Sequence, residues 1–449
     1  MASNTKTSRI HLPDLFRLAE LAINHGEVEA LTGQRHFSEP VALGWDKTRP
    51  LSSRNPVFHA YGFGGAGLTL APAIAEEISH TICPEILQPS PPHKHNDVII
   101  LGAGYIGIFT ALALRKDLDN REGQDITIRV LASSLPRGCS TVLPETSEPS
   151  LADNFPSQIA GGFVLPLHIG HLKDHKHWPK IVLRTQEIWE QMSKSPTLNR
   201  TVKDVRALVF PDPDSSHSIK KPKVEDLNRL FHTPLYPEMN VAELGYTQCL
   251  GSNYNKSEKQ TCEVFHFPDM TCFDSFIQVD TSSVLLYSME EVLQKNMTIT
   301  QLSCPLESYT ELTEHFQPDT RTFVINASGC GASTVFGCQP SIPIRGDLMV
   351  LKVPLNLIPA DLQHIDQYSY WAGSHYVFIR HELYRPWIHI VLGGSCIEND
   401  SDLTLRPKEL SEILNFWFDL FHIPPGSSAI DSYSKKKALL IKQVLDNCQ

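Results

Sequence analysis

The stretch that most constrains the fold is residues 97–116, DVIILGAGYIGIFTALALRK, which lies nearly a hundred residues into the chain. Asp97 and the apolar residues 98–101 that follow it are typical of a central strand of a parallel sheet, which is buried on both faces. Three glycines follow with the spacing of the dinucleotide fingerprint, and a helix over about 106–118 comes next. Because helix N-terminal amides attract phosphate, the pattern predicts a pyrophosphate-binding turn.

The three glycines of this turn have three different physical roles. Gly102 allows the tight turn, Gly104 leaves room for a pyrophosphate, and Gly107 lets the helix pack closely on the strand. A plain glycine loop is the alternative, but it would not require both a strand before it and a helix after it. The residues predicted to contact the dinucleotide here are Gly102, Ala103, Gly104, Tyr105, Ile106 and Gly107.

The composition indicates a globular protein that acts on small molecules. A chain of 449 residues with 41% hydrophobic content can bury a large core, which we expect to form two closely joined domains. The formal net charge of −11 argues against nucleic-acid and anionic-membrane partners, since both require a basic surface. Ten cysteines without a CxxC pair are typical of reduced intracellular thiols. The first residues lack the apolar core of a signal peptide, so we expect a cytoplasmic location.

The N-terminal part predicts a helix at 14–22 and a strand at 28–35. Residues 56–78 are rich in glycine between Tyr61 and Gly67 and then become helical. Residues 79–96 are polar and contain four prolines, and this composition predicts an exposed linker.

A second strand is predicted at 125–132, at the distance expected in a βαβ unit. It ends in Ser133 and Ser134, where an acidic residue usually binds the adenosine ribose. A loop at 137–154 and a helix at 176–192 are expected next, and 205–254 has no regular pattern.

The C-terminal half predicts a helix at 280–295 capped by Asp280 or Thr281, a strand at 298–302, and a strand that enters a glycine turn within 321–332. Strands at 347–353, 375–380 and 388–393 are typical of an antiparallel sheet, and helices are expected from Pro407. The predicted fold class is therefore α/β, with a Rossmann-like dinucleotide-binding domain interleaved with an antiparallel-sheet (α+β) substrate domain.

Several separated segments resemble the family of FAD-dependent D-amino-acid and D-aspartate oxidases. LGAGYIGIFTALAL is similar to the family's flavin strand, and VFHAYGFGGAGLT matches its signature H-[NA]-Y-G-x-x-x-x-G. QIAGGFVLP, VINASGCGA, PIRGD, HYVFIR and IHIVLGGS occur in the family's order, so the resemblance covers most of the chain.

The arrangement is unusual, because the signature precedes the flavin strand instead of following it. The sequence resembles a circular permutant whose join is the segment 79–96, and 18 residues can extend up to roughly 60 Å. A mis-assembled gene model is the alternative. The resemblance implies substrate-domain parts at 1–55, 205–279 and 347–449, flavin-binding parts at 56–78, 97–204 and 280–346, and a linker at 79–96.

The resemblance implies two residues that hold a substrate carboxylate. Arg35 follows Gly33-Gln34 as in the family's G-x-R-P motif, although His36 replaces the proline, and Tyr376 matches the family's tyrosine. A planar guanidinium suits a carboxylate because it forms a bidentate pair. A surface arginine and a core tyrosine are the alternatives for these two residues.

Other positions are implied to surround the flavin or to depart from the family. The Gly65 carbonyl would accept from the substrate amine. Ala372 replaces a lid tyrosine, and Asp347 replaces a glutamine. The remaining implied flavin contacts are Gly64, Gly65, Ala66, Gly67, Leu68, Thr69, Ser133, Ser134, Ala160, Gly161 and Gly162.

The implied activity is oxidation of D-amino acids to 2-oxo acids with ammonia and H₂O₂. A hydride would pass from the substrate Cα to N5 of FAD, and O₂ would reoxidise the flavin. A flavin-binding but inactive relative is the alternative. The family also suggests a possible homodimer and a possible peroxisomal location, although the chain ends in Asp-Asn-Cys-Gln rather than a peroxisomal signal.

Four histidines could suggest a metal site, but we expect none. They lack cysteine or carboxylate partners at ligand spacing, and the family has no metal there. These residues are His168, His171, His175 and His177.

Overall fold

The computed structural model describes residues 14–88, 95–119, 126–143, 155–164, 178–210, 247–249, 271–363, 365–372, 375–421 and 430–448. Its helices are α1 Leu15–His25, α2 Gly67–Ile86, α3 Tyr105–Asp119, α4 Pro156–Ile159, α5 Trp178–Ser193, α6 Thr281–Gln294, α7 Tyr309–Thr313, α8 Gly331–Phe336, α9 Pro407–Phe421 and α10 Ile430–Asp446. Its strands are β1 Glu27–Trp45, β2 Val57–Phe63, β3 His95–Leu101, β4 Thr127–Ala132, β5 Val202–Phe210, β6 Thr247–Cys249, β7 Thr271–Val279, β8 Thr298–Gln301, β9 Thr320–Asn326, β10 Ile342–Pro354, β11 Tyr368–Ala372, β12 His375–His381, β13 Trp387–Gly393 and β14 Ile397–Glu398.

One part of the sheet is a parallel unit in the order β8-β4-β3-β9-β2. β3 lies at its centre, and Val98, Ile99 and Ile100 are fully buried, as expected for a strand covered on both faces. Helices α2, α3, α5 and α6 contribute to the hydrophobic core on one face of this unit. Residues of α8 and of the α7 region cover the other face.

The other part of the sheet is mainly antiparallel. β1, β10, β13, β12 and β11 pair in this order, and β5 then joins β11 in parallel. Helices α1, α9 and α10 pack on one face together with alternate residues of the strands. The opposite face carries an aromatic cluster that includes Phe163, Phe276, Trp371 and Phe378.

Strand β1 connects the two parts. It pairs with β10 from Glu27 to Phe37 and with β2 from Phe37 to Trp45, and its register shifts between Phe37 and Ala42. The two parts therefore share one continuous sheet.

The α/β fold class is confirmed, with the parallel unit built on β3 and an antiparallel sheet beside it. The predicted strands at 347–353, 375–380 and 388–393 are present in β10, β12 and β13.

The prediction that 79–96 is an exposed linker is wrong for its first half. α2 continues through Ile86, and Ser79, Ile82, Cys83 and Ile86 are buried. The helix continues past Pro84 in its last turn, although proline cannot donate the backbone hydrogen bond that this position normally makes. The absence of regular structure expected from residue 205 is also wrong up to Phe210, where β5 ends.

Asp280 caps α6, as the sequence predicts. Its Oδ1 accepts from the amide of Ser283 at 2.8 Å, and its Oδ2 lies 3.6 Å from Nδ1 of His389. Burial would raise the pKa of Asp280, but hydrogen bonds and the nearby positive charges outweigh it and lower the pKa to about 2. Burial would lower the pKa of His389, but its bonds to Asp280 and Glu382 outweigh that effect and raise it.

A buried ion pair lies inside β10. The side chains of Arg345 and Asp347 are 0% exposed, and Nη2 of Arg345 donates to Oδ1 of Asp347 at 2.7 Å. Thr32 of β1 donates to the same oxygen at 2.7 Å, and the hydroxyl of Ser395 donates to Oδ2 at 3.1 Å. Arg345 also donates to the carbonyls of Asp402 and Thr404. Satisfied in this way, the pair links β10 to β1 and to the segment before α9.

No helix among the described ranges is both long and apolar enough to cross a bilayer. The same ranges contain no group of three or more His, Cys, Asp or Glu side chains that could hold a metal ion.

The environment of Asp280 predicts a pH dependence of stability. Its pKa is lower in the folded state than in the unfolded chain, so its contribution is complete above about pH 4 and is lost as the pH falls to about 2. The loss should be about 2 kcal/mol, at 1.4 kcal/mol per pKa unit. The free energy of unfolding, measured with urea between pH 5 and 2, should therefore fall more steeply with falling pH for the wild type than for Asp280→Asn. Exposed Asp319→Asn is the control, and parallel profiles for all three proteins would refute the assignment.

The Arg345–Asp347 pair predicts a large effect of a single change. Asp347→Ala leaves a buried guanidinium without its carboxylate, which should lower the free energy of unfolding by roughly 3–5 kcal/mol. Glu412→Ala removes the partner of Lys408 in a pair whose side chains are 62% and 83% exposed, so it should cost less than about 1 kcal/mol. Chemical denaturation of both variants checks the contrast, and equal effects would contradict it.

Candidate functional site

The fingerprint turn has the geometry that its glycines require. Gly102 has φ of 107°, its amide donates to the carbonyl of Leu131 at 2.8 Å, and a Cβ there would overlap the carbonyl oxygen of Ala327. A Cβ on Gly107 would overlap the carbonyl oxygen of Gly102, so α3 packs against the turn as closely as backbone allows. A Cβ on Gly104 would lie 3.0 Å from Oγ of Ser157.

Ser157 was not singled out from the sequence. It is the second residue of the short helix α4, and the amide of Tyr105 donates to its Oγ at 3.3 Å. The hydroxyl of Tyr105 donates to the carbonyl of Thr281 at 2.6 Å, which ties α3 to the start of α6. The segment that precedes Ala160 therefore lies directly over the N-terminus of α3.

Three glycine-bearing turns lie at one edge of the parallel unit. Register aligns His59 of β2 with Asn326 of β9 and Asn326 with Leu101 of β3, so the carboxyl ends of these strands are adjacent. Their turns contain Gly64–Gly67, Gly329 and Gly102–Gly107. Ligands of doubly wound sheets bind at this edge. Ser133 and Ser134 follow β4 at the same edge, and Ser133 is exposed.

A polar network fastens the signature histidine to this edge. Nε2 of His59 lies 2.8 Å from Oδ2 of Asp46, and Nδ1 of His59 lies 3.0 Å from Nδ2 of Asn326. The amide geometry assigns the proton to Nε2, because Nδ1 must accept from Asn326. Burial would raise the pKa of Asp46, but bonds from Thr48, His59 and two backbone amides lower it to about 2. The network joins β1, β2 and β9, and Asp46 was not predicted.

The second glycine turn lies beside β1. Gly64 has φ of 53° in a 3₁₀ turn, Gly64–Ala66, and α2 begins at Gly67. Gly62 packs against Ser38, and Phe63 pairs with Phe37. Ala66, Leu68 and Thr69 are buried, and Nε1 of Trp189 donates to the carbonyl of Thr69 at 2.9 Å. The backbone of Gly65 is therefore held next to the strand that carries Arg35.

Arg35 lies two residues before the Phe37–Phe63 pair, which is about 7 Å along an extended strand. It is half-buried, and its Nη2 lies 3.1 Å from the place where a Cβ on Gly346 would be. Among the described residues, no acidic side chain lies within 4 Å of its guanidinium. His36 faces the other way, where its ring approaches Gly329 and Ser341.

Tyr376 shares this face of the antiparallel sheet. Its ring stacks on Phe378 with centroids 4.4 Å apart, and its hydroxyl lies 3.2 Å from where a Cβ on Gly161 would be. A Cβ on Gly393, its partner in β13, would overlap the ring. Burial raises the pKa of Tyr376, and the charge of Arg35 partly offsets the rise. The phenol therefore stays protonated at neutral pH and lies within electrostatic reach of Arg35.

The segment Ala160–Gly162 is held between the two parts of the sheet. The carbonyl of Ala160 accepts from Nη1 of Arg380 at 3.3 Å. The carbonyl of Gly162 accepts from the amide of Val279 at 2.6 Å. Gly162 has φ of 88°, which favours glycine. The structure thus places Tyr376 against this segment, with Arg35 within electrostatic reach of Tyr376, and it accounts for Asp347 as the buried partner of Arg345. Ala372 is buried at the end of β11.

The site combines a sheet edge whose backbone amides can bind phosphate with the guanidinium of Arg35 and the hydroxyl of Tyr376. Amides at the start of α3 and glycine turns suit a dinucleotide phosphate. The Arg35 guanidinium and Tyr376 hydroxyl can both donate to a carboxylate. The positions of the four histidines between 168 and 177 lie outside the described residues.

Comparison with known proteins gives only distant likenesses. No protein-family model matches the sequence, and no curated protein matches it either. Solved structures that overlay on it include glycine oxidase from Bacillus cereus, with TM-score 0.44, 11% identity and coverage of 72% of this chain and 77% of that chain. L-amino acid deaminase from Proteus vulgaris overlays with TM-score 0.43 and 10% identity, covering 74% of this chain and 76% of that chain. L-α-glycerophosphate oxidase from Mycoplasma pneumoniae, solved with FAD bound, overlays with TM-score 0.41 and 12% identity, covering 71% of this chain and 78% of that chain. Since all three TM-scores are below 0.5, function must be inferred from the site itself.

Proposed function

We propose that this chain binds FAD and oxidises D-amino acids to 2-oxo acids, with ammonia and H₂O₂ as the other products. The observation that carries the proposal is that Arg35 and Tyr376 lie on one sheet face within electrostatic reach of each other, beside the glycine-lined edge of a doubly wound parallel unit. When bound, FAD supplies a two-electron acceptor that O₂ reoxidises. The residues of this chain supply binding and orientation.

The residues present fit a flavin dinucleotide. The turn at Gly104, the α3 N-terminus and the hydroxyl of Ser157 would hold the pyrophosphate. Ser133 and Ser134 at the next strand end would contact the adenosine ribose. Residues 64–69 and 160–162, on either side of the Arg35 region, would contact the ring system. A carboxyl group would lie against Arg35 and Tyr376, and the carbonyl of Gly65 would accept from the amine.

Substrate orientation is the main task of Arg35 and Tyr376. A guanidinium and a phenol that both donate to one carboxylate would fix the position and the plane of that carboxylate, and so would orient the substrate. The alternation of β1 keeps Arg35 on the Tyr376 face, so the two donors converge without any further side chain. No acid-base residue is required, because the amine can lose its proton to solvent before oxidation.

The strand order supports the proposed permutation and domain division. If β3 is counted as the first strand, β8-β4-β3-β9-β2 has the order 3-2-1-4-5 of a common doubly wound sheet. The strand that precedes β3 in the chain then occupies the place of a later strand. This order is what moving a C-terminal signature segment to the front would produce.

Replacing Gly104 by valine tests the cofactor. A branched side chain at this turn would approach Ser157 and occupy the space of the pyrophosphate, so the folded variant should lose FAD. Gly104→Ala, which adds one methyl, should retain partial binding. The 450-nm absorption of purified protein measures occupancy, and circular dichroism checks the fold. A yellow Gly104→Val protein would place the dinucleotide elsewhere.

Replacing Arg35 tests the substrate site. Arg35→Ala should keep FAD but lose roughly 2–5 kcal/mol of transition-state binding, which lowers kcat/KM for D-amino acids about 30-fold to several thousand-fold. Arg35→Lys should recover part of the lost kcat/KM, because lysine keeps the positive charge but cannot form the two parallel hydrogen bonds of a guanidinium. Exposed Arg200→Ala is the matched control. An H₂O₂ assay with D-alanine and D-aspartate gives the rates, and unchanged KM in Arg35→Ala would exclude this carboxylate site.

The same assay separates the proposed activity from its alternative. A flavin-binding but inactive relative would show a flavin spectrum, no bleaching with any D-amino acid under anaerobic conditions, and no H₂O₂. An active oxidase would bleach with its D-substrate and recover colour in air.

A further inference from the structure

Cys396 is an exposed free thiol next to the proposed carboxylate site. It immediately precedes β14, and continuing the ladder of β14 with β10 by one residue places it opposite Gly346. Nη2 of Arg35 and the carbonyl oxygen of Ser395 lie 3.1 Å and 3.5 Å from one point, the place where a Cβ on Gly346 would be. The peptide that leads into Cys396 therefore lies over the same glycine as the guanidinium.

The register places Cys396 on the face of the sheet that carries Arg35. Glu398, two residues after Cys396, pairs with Ile344 of β10, and Ile344 pairs with Arg35 of β1. Paired residues share a face of the sheet, and so do residues two apart on one strand. Burial raises the pKa of Tyr376, and the charge of the Cys396 thiolate adds to the rise. The sulfur is therefore within electrostatic reach of the phenol that faces the same site.

Arg35 distinguishes this thiol from the other exposed cysteines. The guanidinium is half-buried, and no carboxylate in the described part of the chain lies within 4 Å of it. A small acid whose carboxylate pairs with Arg35 would hold its carbon chain beside the sulfur of Cys396. Cys304 is also exposed, but it follows β8, the edge strand of the parallel unit, and lies outside the site. It therefore provides an internal reference for thiol reactivity.

We propose that Cys396 is a covalent modification site for small electrophilic carboxylic acids, which Arg35 binds by their carboxylate before the sulfur attacks. With iodoacetate, the thiol loses its proton to solvent and the thiolate attacks the methylene carbon. The C–S bond forms as the C–I bond breaks, and iodide leaves. The thioether then carries its carboxylate to Arg35, so the modified protein no longer binds D-amino acids. The inference rests on the carboxylate site of the proposed function.

The test compares iodoacetate with neutral iodoacetamide on the full-length protein at constant pH and ionic strength. Peptide mass spectrometry measures the alkylation rates at Cys396 and at Cys304. Both reagents meet the same thiolate, so the ratio of their rates cancels the ionised fraction of each thiol. The iodoacetate-to-iodoacetamide ratio should be at least about tenfold higher at Cys396 than at Cys304, because Arg35 holds only iodoacetate. Sodium acetate should protect Cys396 from iodoacetate and leave Cys304 unprotected.

Variants of the guanidinium show whether Arg35 is the cause. Arg35→Gln should lower the ratio at Cys396 to that at Cys304, Arg35→Lys should be intermediate, and exposed Arg200→Gln should change nothing. If Arg35→Gln does not fold, protection of the wild type by acetate decides.

Three results would overturn the inference: equal ratios at Cys396 and Cys304 in the wild type, no protection by acetate, or a high ratio that survives in Arg35→Gln. The H₂O₂ assay on unmodified protein separates this inference from the proposed function. Oxidase activity without selective alkylation would reject only the modification site. Selective alkylation without activity would reject only the oxidase.

Discussion

The arrangement of the site depends on the backbone ladder of β1. Eleven residue pairs join Glu27–Phe37 to β10, and the strand then shifts register and pairs with β2. Because side chains alternate along a strand, a slip of one residue would turn Arg35 away from Tyr376 and bring His36 into its place. A slip would also unpair the hydrogen bonds that hold the glycine turn after β2. The distance between the proposed carboxylate-binding arginine and the glycine edge is therefore set by main-chain hydrogen bonds, which are shared by both parts of the sheet.

Glycines leave space for the side chains of Arg35 and Tyr376, and the stability that each glycine costs its strand is offset by contacts nearby. Gly346 leaves room for the guanidinium of Arg35, and Gly161 and Gly393 leave room for the ring of Tyr376. Glycine in a strand destabilises it by roughly 0.5–1 kcal/mol, because it adds unfolded-state entropy and packs nothing. On β10 the residues on both sides of Gly346 form the buried Arg345–Asp347 pair, which is anchored to β1 and to the segment before α9. The Arg345–Asp347 ion pair thus anchors β10 at Gly346, where the strand has no side chain to pack.

Local patterns in the sequence predicted much of this fold, and long-range contacts account for what they missed. The buried strand and glycine turn at 97–107, the Asp280 cap and the antiparallel strands follow from periodicity and capping, which act within a few residues. The end of α2 does not follow from local patterns. Pro84 and its polar neighbours predict a break in the helix, but Ile78, Ile82 and Ile86 are buried in the core. Packing of α2 against α3 overrides local propensity there. Arg35 and Tyr376 could be paired only through the resemblance, since 341 positions separate them. The contact of Ser157 with the fingerprint turn left no signal in the sequence.

The length of α2 changes what the proposed permutation requires of the chain. Because the helix ends at Ile86 and β3 begins at His95, eight residues connect them, and eight residues reach up to about 28 Å. β2, α2 and β3 then form one parallel crossover, with β9 inserted between the two strands. The contacts that bury the core are those of α2 with α3 and of β2 with β9, and neither depends on which end of the chain carries the segment. Since the entropy of closing a connection grows only with the logarithm of its length, moving the segment changes the closure term by less than about 1–2 kcal/mol. The strand order of the sheet, and with it the site at its edge, is compatible with either chain order.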